Sequence, residues 1–161
     1  MISSKSAPSD LVLKVFLEPH GVLPKKGRTG DVGFDLTARQ ITQETHRDLT
    51  VQTFMVDFGV RIEPPKGYYV ELIPRSSLCW SGFIMPNSVG VIDPDYRGVI
   101  MMPLVYLGNP TYALNKAQEL IGSRLAQVVI RKRYEVNVHS SEASELSVTQ
   151  RGESGFGSSG R

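Results

Sequence analysis

Five short stretches of this 161-residue chain carry the residues whose types and spacing could do chemistry. In the first, Gly30-Asp31-Val32-Gly33-Phe34-Asp35-Leu36, a carboxylate stands just before an apolar strand start, among glycines that let another group come close. The commoner use of an isolated Asp there is to build the turn itself. In the second, Pro74-Arg75-Ser76-Ser77-Leu78, a strand gives way to a cation, two hydroxyls and a helix N-terminus. Unpaired amides and the helix dipole would favour an anion such as phosphate there, although a plain capped turn fits equally well. The third, Asn87 through Gly98, is an apolar run broken by Asp93-Pro94-Asp95 before a second strand, and it reads as a β-hairpin. Asp93 directly follows the first strand and Tyr96 comes three residues later, so the tip could serve a water and a sugar face, or be only a turn. The fourth, Gly122-Ser123-Arg124-Leu125-Ala126-Gln127, taken separately is a half-exposed strand. The fifth is the last eleven residues, 151–161, with four Gly and three Ser around one aromatic, Phe156. Such a composition is that of a disordered tail, but a ring between Gly155 and Gly157, bracketed by Arg151 and Arg161, also suits a lid that orders over a ligand.

The elements that must position these groups are short and β-rich. Apolar runs at 11–17, 49–56, 59–62, 68–73, 99–107, 125–130 and 134–138 lie between Gly and Pro punctuation, the pattern of a sandwich or barrel. Helical periodicity is nearly absent. One helical turn is expected from Ser76 or Ser77 as N-cap to Gly82, and a second near 115–120. The chain divides into a flexible N-terminal tail (1–10), a single β domain (11–150) and the Gly/Ser-rich C-terminal segment (151–161), the expected lid.

Composition excludes several classes. Lys plus Arg exceed Asp plus Glu by only two, so neither nucleic acid nor an anionic membrane is an expected partner, and a polyanion would have to be met locally. One Cys and three scattered His give neither an internal disulfide nor a zinc site, and Cys79 is expected to be a small buried hydrophobe. No apolar run approaches the roughly 18 residues of a membrane span, and residues 1–10 lack the apolar core of a signal peptide. The expected setting is intracellular, cytoplasmic or nuclear, and not secreted.

Singly weak, the five stretches are specific in their order. Gly33-Phe34-Asp35-Leu36, Arg75-Ser76-Ser77-Leu78, Gly90 through Gly98, Gly122 through Gln127, and Arg151 through Gly160 resemble the five ordered motifs of the homotrimeric dUTPase family, over residues 11–161. The resemblance implies an all-β, distorted jelly-roll subunit (the dUTPase-like β-clip) with one or two short helical turns. It implies a homotrimer whose active sites are shared between chains, and an activity, dUTP diphosphatase, that limits uracil in DNA and supplies dUMP for dTMP synthesis.

By the same resemblance, Asp93 orients the water that attacks the α-phosphorus, and Asp35 holds Mg2+ through ordered water, the metal being held mainly by substrate phosphates. Arg75, Ser76, Ser77 and Gln127 contact the phosphate chain, with Arg151, Gly157, Ser158 and Ser159 at the γ-phosphate. Asn87, Gly90, Ile92 and Met101 form the uracil pocket, Tyr96 packs under the deoxyribose, and Phe156 stacks on the base. The departures are specific. Ser123 stands where the family usually has Asp, which leaves the anchoring of Arg124 open. Phe34 replaces Tyr, Ser154 and Ser159 replace Gly and Thr, and Ser77 replaces a frequent Gly, bringing this motif nearer to the related dCTP deaminases. A dCTP deaminase, or a bifunctional relative that also cleaves the triphosphate, is therefore the alternative enzyme. A catalytically idle relative that binds a protein partner is the alternative from another class, against which stands the retention of Asp35, Arg75, Asp93, Gln127 and Phe156.

Overall fold

A computed structural model describes residues 11–44 and 51–153. Ten strands, β1 (Lys14–Leu17), β2 (Phe34–Thr37), β3 (Gln40–Glu44), β4 (Gln52–Asp57), β5 (Val60–Glu63), β6 (Tyr68–Pro74), β7 (Phe83–Ile84), β8 (Gly90–Ile92), β9 (Met101–Tyr106) and β10 (Arg124–Lys132), form three antiparallel sheets among these residues. Two are four-stranded, in the orders β2-β10-β6-β8 and β3-β4-β9-β7, and the third is the pair β1-β5. Period-2 alternation builds the core. Leu36, Val70, Leu72, Ala126 and Val128 come from the first sheet, and Ile41, Phe54, Val56, Phe83, Met102 and Leu104 from the second, in one contiguous buried cluster. Phe54 and Phe83 meet edge to face, with centroids 5.7 Å apart.

Five of the expected runs became β1, β5, β6, β9 and β10 with shifts of a few residues at their ends, and β4 corresponds to the described part of 49–56. β1 begins only at Lys14 because its partner β5 ends at Glu63, before Pro64 and Pro65, which have no N–H to continue a ladder. The expected strand 134–138 is not one. Residues 133–140 have no sheet partner, and Tyr134, Val136 and Val138 keep 72%, 75% and 92% of their surface exposed. Their alternation is real, but the described residues offer it no apolar face to cover. β3 was not legible, because only Ile41 of its five residues is buried.

The third stretch is also not a paired hairpin. β8 pairs with β6, whereas β9 pairs with β4 and β7, so the two arms leave for different sheets. The connection is held by its own bonds: Tyr96 N–H to Asp93 C=O at 3.1 Å, and the Arg97 guanidinium to the carbonyls of Pro94 (2.7 Å) and Tyr96 (2.9 Å).

Helical structure falls at both expected places. A 3-10 turn, Ser76–Ser81, stops at Gly82 with φ 81°, but its N-cap position is Arg75 and not a serine. The other is a 3-10 turn, Pro110–Tyr112, capped by the Asn109 side chain and running into α1 (Ala113–Gln118). A further short 3-10 turn spans Ala143–Glu145. Cys79 is exposed, contrary to expectation. The tight turn sends Leu78 inward and leaves positions 79 and 80 outside, with the Cys79 thiol 2.8 Å from the Ser76 carbonyl.

Candidate active site

Two clusters of the expected residues form in the chain. The first surrounds a cavity of about 270 Å3 lined by Asp31, Gly33, Asp35, Arg75, Ser76 and Gln127 together with Val32. Strand register assembles it, since Gln127 on β10 lies between Asp35 on β2 and Ile73 on β6. Arg75 then follows the end of β6, its N–H bonded to the Leu125 carbonyl at 2.9 Å. Leu78 N–H to Arg75 C=O is the first bond of the turn, so the amides of Ser76 and Ser77 precede the ladder, where an anion can take them.

Asp35 is the cluster's buried charge, with its side chain only 7% exposed. Oδ1 pairs with the Arg75 guanidinium, and Oδ2 accepts from Arg124 at 3.0 Å. A carboxylate so deeply placed needs such partners, because an unpaired buried charge is strongly destabilising. Arg124 is thus anchored without an Asp at position 123. Asp31 was not singled out in the sequence. Its Oδ2 accepts from the Arg28 amide at 2.7 Å, as a turn-forming Asp does, yet it also lines the cavity. A Cβ built on Gly27 would stand 3.0 Å from Asp31 Oδ2 and 3.9 Å from Asp35 Oδ2, so the two carboxylates approach one another there.

Among the described residues no group of three or more His, Cys, Asp or Glu converges as a metal cage. One or two carboxylates beside a polar cavity that also holds an arginine would suit magnesium, which keeps most of its waters and takes few oxygens directly from protein. Asp35, with Asp31 opposite, is the donor set that fits it.

The second cluster is a cavity of about 160 Å3 lined by Val91, Ile92, Asp93, Tyr96, Val99 and Met101. The Tyr96 hydroxyl donates to the Val99 carbonyl at 3.0 Å, which sets the ring against the loop. Asn87 and Gly90 sit at the entry to β8 and do not line this cavity. Phe156, Gly157, Ser158 and Ser159 lie outside the described residues; Arg151 is exposed.

The two clusters are far apart in one chain. Ile92 pairs with Val70 and Asp93 continues beyond it, whereas Arg75 lies five residues from Val70 toward the other end of β6. At about 3.4 Å per strand residue, Asp93 and Arg75 are separated by roughly 17 Å. On β6 between them sits Glu71, accepting from Arg131 Nε and from the Tyr69 hydroxyl, both at 2.8 Å. Arg131 first, then Tyr69, hold the Glu71 carboxyl below its ordinary value. The same bonds raise Tyr69 and Arg131 above theirs.

The family model described as dUTPase matches residues 20–160. The chain belongs to the dUTPase family. It is 34% identical to the deoxyuridine 5'-triphosphate nucleotidohydrolase of Finegoldia magna, over 92% of this chain and 98% of that one. To the enzyme of the same name from Escherichia phage T5 it is 36% identical, over 92% and 99%. The dUTPase of Staphylococcus bacteriophage 80alpha, solved with dUPNHPP, superposes with a TM-score of 0.71 at 23% identity, covering 93% of this chain and 99% of that one. The jelly-roll-like fold of the dUTPases is therefore the fold of this chain. The Asp35 cavity draws its lining from the first, second and fourth of the five stretches singled out in the sequence, and the Asp93 cavity mainly from the third.

Proposed function

We propose that this dUTPase-family protein hydrolyses dUTP to dUMP and pyrophosphate, in a homotrimer whose sites combine the Asp35 cavity of one chain with the Asp93 cavity of another. The observation that carries the reading is the separation of the two clusters along β6. A cavity of about 160 Å3 with a carboxylate and a tyrosine in its lining and a polar cavity lined by an arginine and a serine are complementary halves, yet one chain holds them roughly 17 Å apart. The exposed, alternating arm at 134–138 supports assembly, since it needs a surface from another copy to cover it.

Asp93 would accept a proton from a water placed in line with the α-phosphorus. The new bond is water oxygen to phosphorus, the bond from phosphorus to the α–β bridging oxygen breaks, and pyrophosphate leaves. Arg75, Ser76, Ser77 and Gln127 stabilise charge on the leaving group, the part of such a reaction where positioned donors matter most. Asp35 would hold a hydrated magnesium ion beside the phosphates, and that ion would supply charge neutralisation when bound. Backbone groups at Gly90, Ile92 and Met101, with Asn87 nearby, would read uracil; cytosine reverses its N3 and O4 hydrogen-bonding pattern and would leave buried groups unpaired. Tyr96 would fill the space a ribose 2′-hydroxyl needs. Residues 151–161 would close the site as a lid, Phe156 stacking on the base while Arg151, Gly157, Ser158 and Ser159 gather the γ-phosphate. Such an activity would limit uracil incorporation into DNA and supply dUMP for dTMP synthesis.

The test is pyrophosphate release from dUTP, dCTP, dTTP and UTP side by side, with ammonia followed for dCTP. Turnover of dUTP alone is expected. Ammonia from dCTP would move the assignment to a deaminase, and comparable use of UTP would remove Tyr96 as the sugar gate.

A further inference from the structure

The start of β10 departs from regular strand geometry in a way that bears on Asp35. Ala126 pairs with Leu36 and Gln127 with Asp35, but Arg124 pairs with Thr37, so one residue, Leu125, is extra. Without that bulge Arg124 would alternate with Ala126 and Val128, both fully buried, and its guanidinium would be driven into the core. With it, Arg124 stands opposite Thr37, on the face that carries Asp35 two residues earlier, and reaches the carboxylate diagonally. The bulge is held on both sides: Ala38 N–H bonds the Ser123 carbonyl at 2.9 Å, Gly122 N–H bonds the Ala38 carbonyl at 2.8 Å, and the extra residue's own carbonyl receives Arg75 N–H.

The two arginines on Asp35 are not equivalent. Arg75 lines the phosphate cavity, whereas Arg124 does not, its side chain being 57% exposed outside it. We infer that Arg124 is a positioning residue which, re-aimed by the bulge at Leu125, fixes the Asp35 carboxylate so that its remaining lone pairs face the cavity. Each carboxylate oxygen accepts two bonds, so one guanidinium contact on each still leaves places for the waters of a hydrated cation. When Arg75 turns to phosphate, Arg124 is the partner that keeps Asp35 in place. This inference rests on the dUTP reading of the cavity.

The test uses the full chain, with Arg124→Met, which keeps the hydrocarbon stem, and Arg124→Lys, which can restore the single contact. Binding of the non-hydrolysable dUpNHpp is titrated against magnesium by calorimetry, dUMP binding serves as control, and kcat and KM are measured at saturating magnesium. Arg124→Met should raise the magnesium needed for half-maximal dUpNHpp binding by about 10-fold to 100-fold, as loss of an outer-shell partner does, with dUMP affinity unchanged and Arg124→Lys recovering most of it. An unaltered magnesium midpoint in Arg124→Met overturns the inference. So does an equal loss of dUMP binding, or a melting temperature so lowered in both variants that Lys rescues nothing, since either marks a merely structural residue. Failure of the unaltered protein to bind dUpNHpp at any magnesium level overturns the dUTP reading, and this inference with it.

Discussion

Gly33 and Gln127 lie so close that a Cβ on Gly33 would collide with the Gln127 side-chain amide. The contact crosses the β2–β10 ladder at the mouth of the Asp35 cavity, which Gly33 and Gln127 both line. Gly33→Ala should therefore displace the Gln127 amide and cost about 1 to 3 kcal/mol, the usual range for overpacking. Gln127→Ala removes the obstacle, so the double variant should be less destabilised than the two single changes summed. Urea denaturation of the four proteins decides this, and strict additivity would show that the amide moves aside without strain.

Glu71 gives a pH signature. Its carboxyl is held below the ordinary value of 4.5 by Arg131 first and Tyr69 second. A carboxyl whose folded pKa is depressed contributes stability that is fully present above its unfolded pKa and is lost as pH falls through the folded one. The advantage of the unaltered protein over Glu71→Gln should be constant from about pH 7 to about pH 5 and shrink at more acid pH. Denaturation curves for both proteins across that range measure it. A difference that stays flat well below pH 4.5 would mean that the Arg131 contact contributes no charge-dependent stability.

Element boundaries were legible where a residue brings its own local chemistry: Gly82 stops a turn, Pro64 and Pro65 end a ladder, and β6 and β10 are largely apolar runs of ordinary strand length. What was not legible depends on partners distant in sequence. The parting of β8 and β9 into different sheets is decided by β6 and β4, not by the Asp-Pro-Asp turn that suggested a hairpin. Nor does alternation in residues 134–138 say whether a covering strand exists in the same chain. The anchor of Arg124 was not legible either: positions 124 and 127 cannot share a face of a regular strand, and only the extra Leu125 brings Arg124 to the face that carries Asp35. Asp31 was hidden by its commoner use, a bond to the Arg28 amide.

Asp93→Asn tests the proposed base. The residue is exposed at the rim of the Tyr96 cavity, so replacing its carboxylate by an amide should leave packing and dUpNHpp affinity nearly unchanged. The turnover number should fall by roughly 10² to 10⁴, the usual worth of a positioned general base. Near-normal turnover would move water activation to another group, and a matching loss of analogue affinity would make Asp93 a binding residue instead.

The strictest prediction concerns the shared site, because every arrangement within one chain fails it. Asp93 lies beyond the end of β8, and residues 151–161, the proposed lid, come after the exposed arm that leaves β10. If the Asp93 loop and the lid of one site come from different chains, neither Asp93→Asn nor a chain ending at residue 150 should work alone. Unfolded together and reassembled at random, they should regain activity, since some sites take Asp93 from the truncated chain and the lid from the Asn variant. With equal mixing and independent donors in a closed ring of three, about one site in four should be intact. Size-exclusion chromatography with one variant tagged verifies that mixed trimers have formed. Activity near a quarter of the unaltered level supports sites built between chains, whereas mixed trimers that stay inactive would place the Asp93 loop and the lid on the same chain.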